Sequence, residues 1–164
     1  MYMETTNHCP ECGAAWRDNL TCQDHFHQAL SWESEYPDKT YAVHHLLVLC
    51  YYLQHPHLYS PQGLEGAKQL LAAFVEQQAT PQDTRRRQRG VVDSGKRAWK
   101  IAGTPASHGA YAQPIHWPIT VGDITAGDLD GYIARVQAWA RSALEALKAS
   151  GNGAAPIDAT ANRP

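Results

Sequence analysis

The chain has 164 residues, 43% apolar and 18% charged, with a formal charge of −2, the composition of a globular protein rather than of a disordered or fibrous one. A chain of this length buries roughly 70% of its unfolded surface, which suits one hydrophobic core. No apolar run approaches the ~20 residues that span a bilayer, which argues against a membrane segment.

The N-terminus, Met1-Tyr-Met-Glu-Thr-Thr-Asn7, lacks the basic and apolar regions of a signal peptide. The expectation is a cytoplasmic protein, where Cys9, Cys12 and Cys22 bind metal more readily than they pair as disulfides. Charge is uneven. Seven of the 14 basic residues (Arg85, Arg86, Arg87, Arg89, Lys96, Arg97 and Lys100) crowd into one segment.

Residues 8–22 carry the first motif, His8-Cys-Pro-Glu-Cys-Gly-Ala-Ala-Trp16 followed by Thr21-Cys22. A Cys-Pro-x-Cys-Gly knuckle turns tightly enough for two thiolates to face one ion, and Gly13 tolerates the positive φ of such a turn. Thr21 and Asp24 form a capping-box pattern that predicts a helix over 22–35, with Cys22, Phe26, Ala29 and Glu33 on one stripe. Tyr36-Pro37 ends it.

A second helix is predicted over 39–55, with Asp38 as its cap. It is apolar on nearly every side, the pattern of a helix at the centre of a core. The short connection implies an antiparallel hairpin. That hairpin sets Cys22 level with the end of the second helix, near Tyr52, and His44 level with Leu30, with Glu33 one or two turns away. His44 and His55 share a face, but 11 residues of straight helix separate them by roughly 16 Å, so they cannot serve one ion.

Ser60-Pro61 starts a third helix to about Gln78, and Thr80-Pro81-Gln-Asp83 starts a short basic one. Residues 90–118 are rich in glycine and proline and read as a long ordered loop, anchored by Trp99 and Trp117, with short strands around 98–102. Thr120-Val-Gly-Asp123 caps a brief turn. Asp128 caps a last helix to about Ala149, with Tyr132, Ile133, Val136, Trp139, Ala140, Ala143, Leu144 and Leu147 on its core side. The predicted fold is all-α: a four-helix bundle-like domain over 1–149 with an N-terminal zinc knuckle, followed by a disordered tail over 150–164.

Three cysteines and one histidine make a tetrahedral Cys3His set, the donor type that favours zinc. Redox chemistry at the Cys-x-x-Cys pair is the alternative, but the βαβ setting of such motifs is missing. Hairpin geometry favours His55 as the fourth ligand, with His25, His57 and His8 as the other candidates. His44 and His45 with Glu33 admit a second centre, for a positioned water or another metal. The plainer reading is a histidine hydrogen-bonded to a carboxylate for structural reasons. Cys50 reads as a core thiol.

The arginine run admits nucleic-acid binding by counterion release, although a solvated basic face is the commoner use of such a run. No aromatic residue interrupts 85–98, so a local stacking platform is missing.

Cys9-Pro-Glu-Cys12-Gly, Cys22, His44-His-Leu-Leu-Val-Leu-Cys-Tyr51-Tyr-Leu-Gln54-His55-Pro56, and the late Trp117-Pro-Ile-Thr-Val-Gly-Asp123 before Trp139-Ala140 together resemble an uncharacterised bacterial family of small proteins. That family joins a cysteine knuckle to a His-x-x-x-Val-x-x-Tyr-x-x-Gln-His-Pro helix. The resemblance implies roles for Cys9, Cys12, Cys22, His44, Gln54 and His55, and no particular activity. Where the family helix often carries an acidic residue, this chain has Leu49, which weakens the case for a catalytic carboxylate on that helix. The sequence therefore supports a zinc-stabilised binding module first, and a metal-dependent hydrolase second. Nucleic-acid regulation comes third.

Overall fold

The computed structural model describes residues 7–84 and 100–154. The fold is all-α, and four helices make up most of it: α1 (Cys22–Glu35), α3 (His44–Gln54), α4 (Pro61–Glu76) and α6 (Tyr132–Ala149). Two short helices, α2 (Pro37–Thr40) and α5 (Val121–Ile124), connect them.

Of the long helices, α1 and α4 begin where the sequence offers the first orphan amides a side-chain partner, α6 follows a capped 3-10 turn, and α3 has no side-chain cap. The Thr21 side chain accepts from the Asp24 amide while Asp24 accepts from the Thr21 amide, so two unpaired donors of α1 are satisfied reciprocally. Ser60 caps α4 by accepting from the Gly63 amide, with Pro61 in the first turn, where no N–H is needed. Before α6 the Asp128 side chain accepts from the Gly131 amide and opens a 3-10 turn, Leu129–Gly131.

The predicted second helix is broken. Instead of one rod over 39–55, α2 gives way to a 3-10 turn, Tyr41–Val43, and α3 starts only at His44. Thr40 is fully buried and donates its hydroxyl to the Tyr36 carbonyl at 2.9 Å, which holds the break in place. Beyond it α3 is buried on almost all sides, through Leu47, Leu49, Cys50, Tyr51, Leu53 and Gln54.

The core forms where α3 meets α4 and α6. Leu47 and Leu53 meet Leu71 of α4 and Tyr132, Val136, Trp139 and Leu147 of α6, with Val121 and Ile124 of α5 in the same cluster. Full burial of each such side chain contributes about 1.5–3 kcal/mol, so this cluster dominates the stabilisation.

Of the strands expected around 98–102, residues 98 and 99 lie outside the described residues; the described stretch from 100 on has one isolated bridge, Tyr59 to Ala102. Its backbone lies along the segment following α3, with the Ser60 amide bonded to the Ile101 carbonyl at 2.8 Å and the Gly109 amide to the Tyr59 carbonyl at 2.7 Å. The start of the expected tail is packed. Asn152 is buried and donates to the Gln113 carbonyl at 3.0 Å. The basic run from Arg85 to Arg97, Trp99, and residues 155–164 lie outside the described residues. Among the described residues no helix is long and apolar enough to cross a membrane.

Candidate metal centre

The knuckle is a turn closed on itself. The Cys9 amide donates to the Ala14 carbonyl at 2.8 Å and the Gly13 amide to the Cys9 carbonyl at 3.0 Å, with Gly13 at φ +76°. A side chain at that angle would be strained, so glycine is what lets the chain reverse there. An antiparallel bridge between His8 and Ala15 closes the turn from outside.

Cys22 arrives at the same place as the first residue of α1, and His55 as the residue that ends α3. The α1–α3 hairpin provides the register. Its clearest sign is Phe26 stacked on Tyr51, with ring centroids 4.0 Å apart and planes 5° from parallel.

The result is a buried Cys3His cluster. The sulfurs of Cys9, Cys12 and Cys22 and a ring nitrogen of His55 all lie within 4.8 Å of one another, and none of the four residues is more than 7% exposed. Cys9 Sγ is 3.5 Å from His55 Nε2, and Cys12 Sγ is 3.6 Å from Cys22 Sγ. Zinc–sulfur bonds of about 2.3 Å in a tetrahedron require sulfur–sulfur edges of about 3.8 Å and sulfur–nitrogen edges of about 3.6 Å. Both observed separations are near those lengths and far beyond the ~2.05 Å of a disulfide. All four cysteines of the protein are free thiols.

The surroundings also fit a cation. His55 Nδ1 donates to the Tyr51 carbonyl at 2.7 Å, which fixes the ring and leaves Nε2 to face the sulfurs. The Cys12 amide and the Trp16 indole N–H donate to Cys9 and Cys22 sulfurs at 3.5 and 3.4 Å. Donors aimed at sulfur stabilise the thiolate form. The neighbouring Cys12 and Cys22 side chains hold the Cys9 thiol far below its ordinary range, against the opposing effect of burial. Burial works against a charge on His55 as well, yet the sulfurs of Cys22 and Cys9 outweigh it and raise His55 to about 10. Cys12 moves the opposite way, raised by the Cys22 and Cys9 side chains and by burial, so the one favoured thiolate, Cys9, faces a protonated His55. A divalent cation would take the place of that proton and let the other sulfurs ionise.

The other candidate histidines have separate partners. His25 Nδ1 is hydrogen-bonded to Thr125 Oγ1 at 2.7 Å, so it ties α1 to the end of α5. His57 is bound through Nδ1 to the Glu11 carboxylate. His8 is exposed at the rim of the knuckle. His44 Nδ1 meets Glu33 Oε1 at 3.0 Å, closer than the one or two turns the hairpin predicts, while Glu33 Oε2 is buried without a hydrogen-bond partner. His45 lies edge-on to Phe74 at 4.7 Å; burial, and then the adjacent His44, push its pKa down. Gln54 is buried and donates to the Ile119 carbonyl at 2.8 Å, which moors α3 to the segment before α5.

Trp16, Tyr51 and Glu11 escaped the sequence reading. Trp16 stands six residues before Cys22, close enough to be a candidate, but nothing in the spacing indicates that its indole points at a sulfur.

A family of unknown function, DUF5946, matches residues 7–148. The chain belongs to it. The match takes in every residue of the Cys3His cluster, so in this DUF5946 protein the cluster lies inside the family region and not in an appended segment. No curated protein and no solved structure matches the chain.

Proposed function

We propose that this DUF5946 protein is a zinc-stabilised binding module, in which Cys9, Cys12, Cys22 and His55 hold one structural ion. The observation that carries the reading is the buried, mutually facing set of three sulfurs and one imidazole within 4.8 Å. Zinc is the favoured ion because thiolate-rich tetrahedral sites select it over harder cations. Four protein donors fill the coordination sphere, and a structural site of this kind keeps no open position for a substrate. Four unpaired cysteines suit a reducing compartment such as the cytoplasm.

Metal analysis of the purified protein tests the reading. The expected result is one zinc per chain, lost on Cys9→Ser or His55→Ala. Cobalt substitution should give the absorption of a tetrahedral site with three thiolates and one nitrogen. Full zinc retention by Cys9→Ser would overturn the ligand set. A water in the sphere by X-ray absorption would replace the structural role with a catalytic one.

A further inference from the structure

A cleft of about 740 Å³ opens beside the knuckle, between the end of α3 and the stretch after residue 100. Its size falls within the range of small-molecule sites. Tyr52 and Tyr59 form an aromatic corner, with rings 5.4 Å apart and inclined at 61°. Leu58, Ile101 and Pro105 make the rest mainly apolar.

The walls are fixed in place. The Gly103 amide donates to the Leu58 carbonyl at 3.0 Å, and the two strands of backbone pass so close that a Cβ at Gly103 would collide with the His57 and Tyr59 carbonyls. Thr104 and Ser107 close the adjacent turn on each other, with the Thr104 amide 2.9 Å from the Ser107 carbonyl.

Two imidazoles, His57 and His108, line this cleft. His57 Nδ1 meets the Glu11 carboxylate, which also receives the His57 amide at 3.3 Å. His108 Nδ1 meets the Gly109 carbonyl at 3.0 Å. A carboxylate and a carbonyl only accept, so in its neutral form each ring carries its proton on Nδ1 and leaves Nε2 as an acceptor. Among the described residues the lining has no acidic, lysine or arginine side chain. Its complement is a flat, uncharged molecule that brings a hydrogen-bond donor of its own.

We propose that this cleft binds a phenol-class ligand, with its ring against Tyr52 and Tyr59 and its hydroxyl donating to His57 Nε2. Glu11 is the positioning residue, since it fixes the tautomer that makes Nε2 an acceptor. A carboxylate ligand is disfavoured because it would face two acceptor nitrogens. Glu11 lies between Cys9 and Cys12 and His57 two residues after His55, so the placing of the His57 ring rests on the metal reading above, whereas Tyr59 and residues 101–109 are held by their own backbone contacts.

The test is a titration of the purified full chain with 2-naphthol, 2-methoxynaphthalene and 2-naphthoate, with metal content measured on the same sample. Saturable 1:1 binding of 2-naphthol is expected, at least tenfold tighter than the methyl ether, which cannot donate, or the carboxylate. His57→Phe should remove that tenfold preference while retaining the helical circular dichroism. Glu11→Gln should weaken 2-naphthol several-fold and shift the ¹⁵N resonances of the His57 ring as the tautomer is released. Chemical-shift changes should centre on Leu58 and Ile101. Absence of saturable binding below ~1 mM, equal affinity for the methyl ether, an unaltered preference in His57→Phe, or shifts centred elsewhere would overturn the proposal. Naphthol binding by protein without metal would retain the cleft and reject the zinc reading; the reverse result would do the opposite.

Discussion

Cys50 is completely buried in the middle of α3, and burial pushes its thiol well above the ordinary range. The thiolate is the reactive form of cysteine, so this side chain is chemically silent in the folded protein. Cys9, Cys12 and Cys22 differ from it, since their sulfurs face one another and two of them receive N–H donors. Alkylation should therefore separate the two sets. Native protein is expected to resist iodoacetamide; after a zinc chelator Cys9, Cys12 and Cys22 should label, and Cys50 only after global unfolding. Early labelling of Cys50, read by peptide mass spectrometry, would contradict its burial.

Glu33 offers a pH test at the same scale. Its burial raises the carboxyl above its ordinary value, and the hydrogen bond from His44 recovers only part of that change. Folding therefore favours the protonated acid. Its contribution to stability is complete below the unfolded pKa and is lost as pH rises through the folded one. Glu33→Gln keeps the shape without the titration, so the melting temperature of the native protein should fall relative to the variant over the pH range that opens just above the ordinary carboxylate value. A difference that stays constant across that range would show that the carboxyl is not perturbed.

Elements were legible in the sequence wherever their ends are made by local chemistry. Thr21 with Asp24 marks the start of α1, and Ser60-Pro61 that of α4, because capping is settled within three residues of the chain. The hairpin also carried its register far enough to bring His55, among several histidines, to the thiols. The interruption at Tyr41–Val43 was not legible, since no glycine or proline stands there and the determinant is tertiary: Thr40 and Val43 are pulled into the core. Nor was the Glu11–His57 pair, which joins residues 46 positions apart that no periodicity links.

The path of the chain after residue 100 is also tertiary, and two glycines test it. Gly103→Ala places a methyl group against two carbonyls and should cost about 1–3 kcal/mol, as overpacking does. Gly66→Ala lies inside α4 with nothing within 4 Å of the new methyl and should gain up to about 1 kcal/mol from helix propensity. Denaturant unfolding of both variants checks the pair. Equal effects would mean that the contact between 57–59 and 101–103 adds nothing.

Over the whole molecule, Cys9, Cys12 and Cys22 belong to the same continuous core as the helices, but the cluster and the helix contacts hold different segments. The Cys3His set binds residues 9–22 to the far end of α3, whereas α4 and α6 are held by Leu71, Trp139, Leu147 and their neighbours. Loss of an ion from the first would leave uncompensated sulfurs in a buried site but remove none of the apolar contacts of the second. Chelation should consequently lower the melting temperature without abolishing the helical signal. Hydrogen exchange should speed up across 8–22 and 55–59, while the central amides of α4 and α6 keep their protection. Because only the folded state presents the assembled ligands, stability should rise again with the logarithm of free zinc once zinc exceeds its dissociation constant. Uniform loss of protection over all helices would instead show one cooperative unit whose core depends on the metal. No change in melting temperature at all would mean that the four side chains meet without holding an ion.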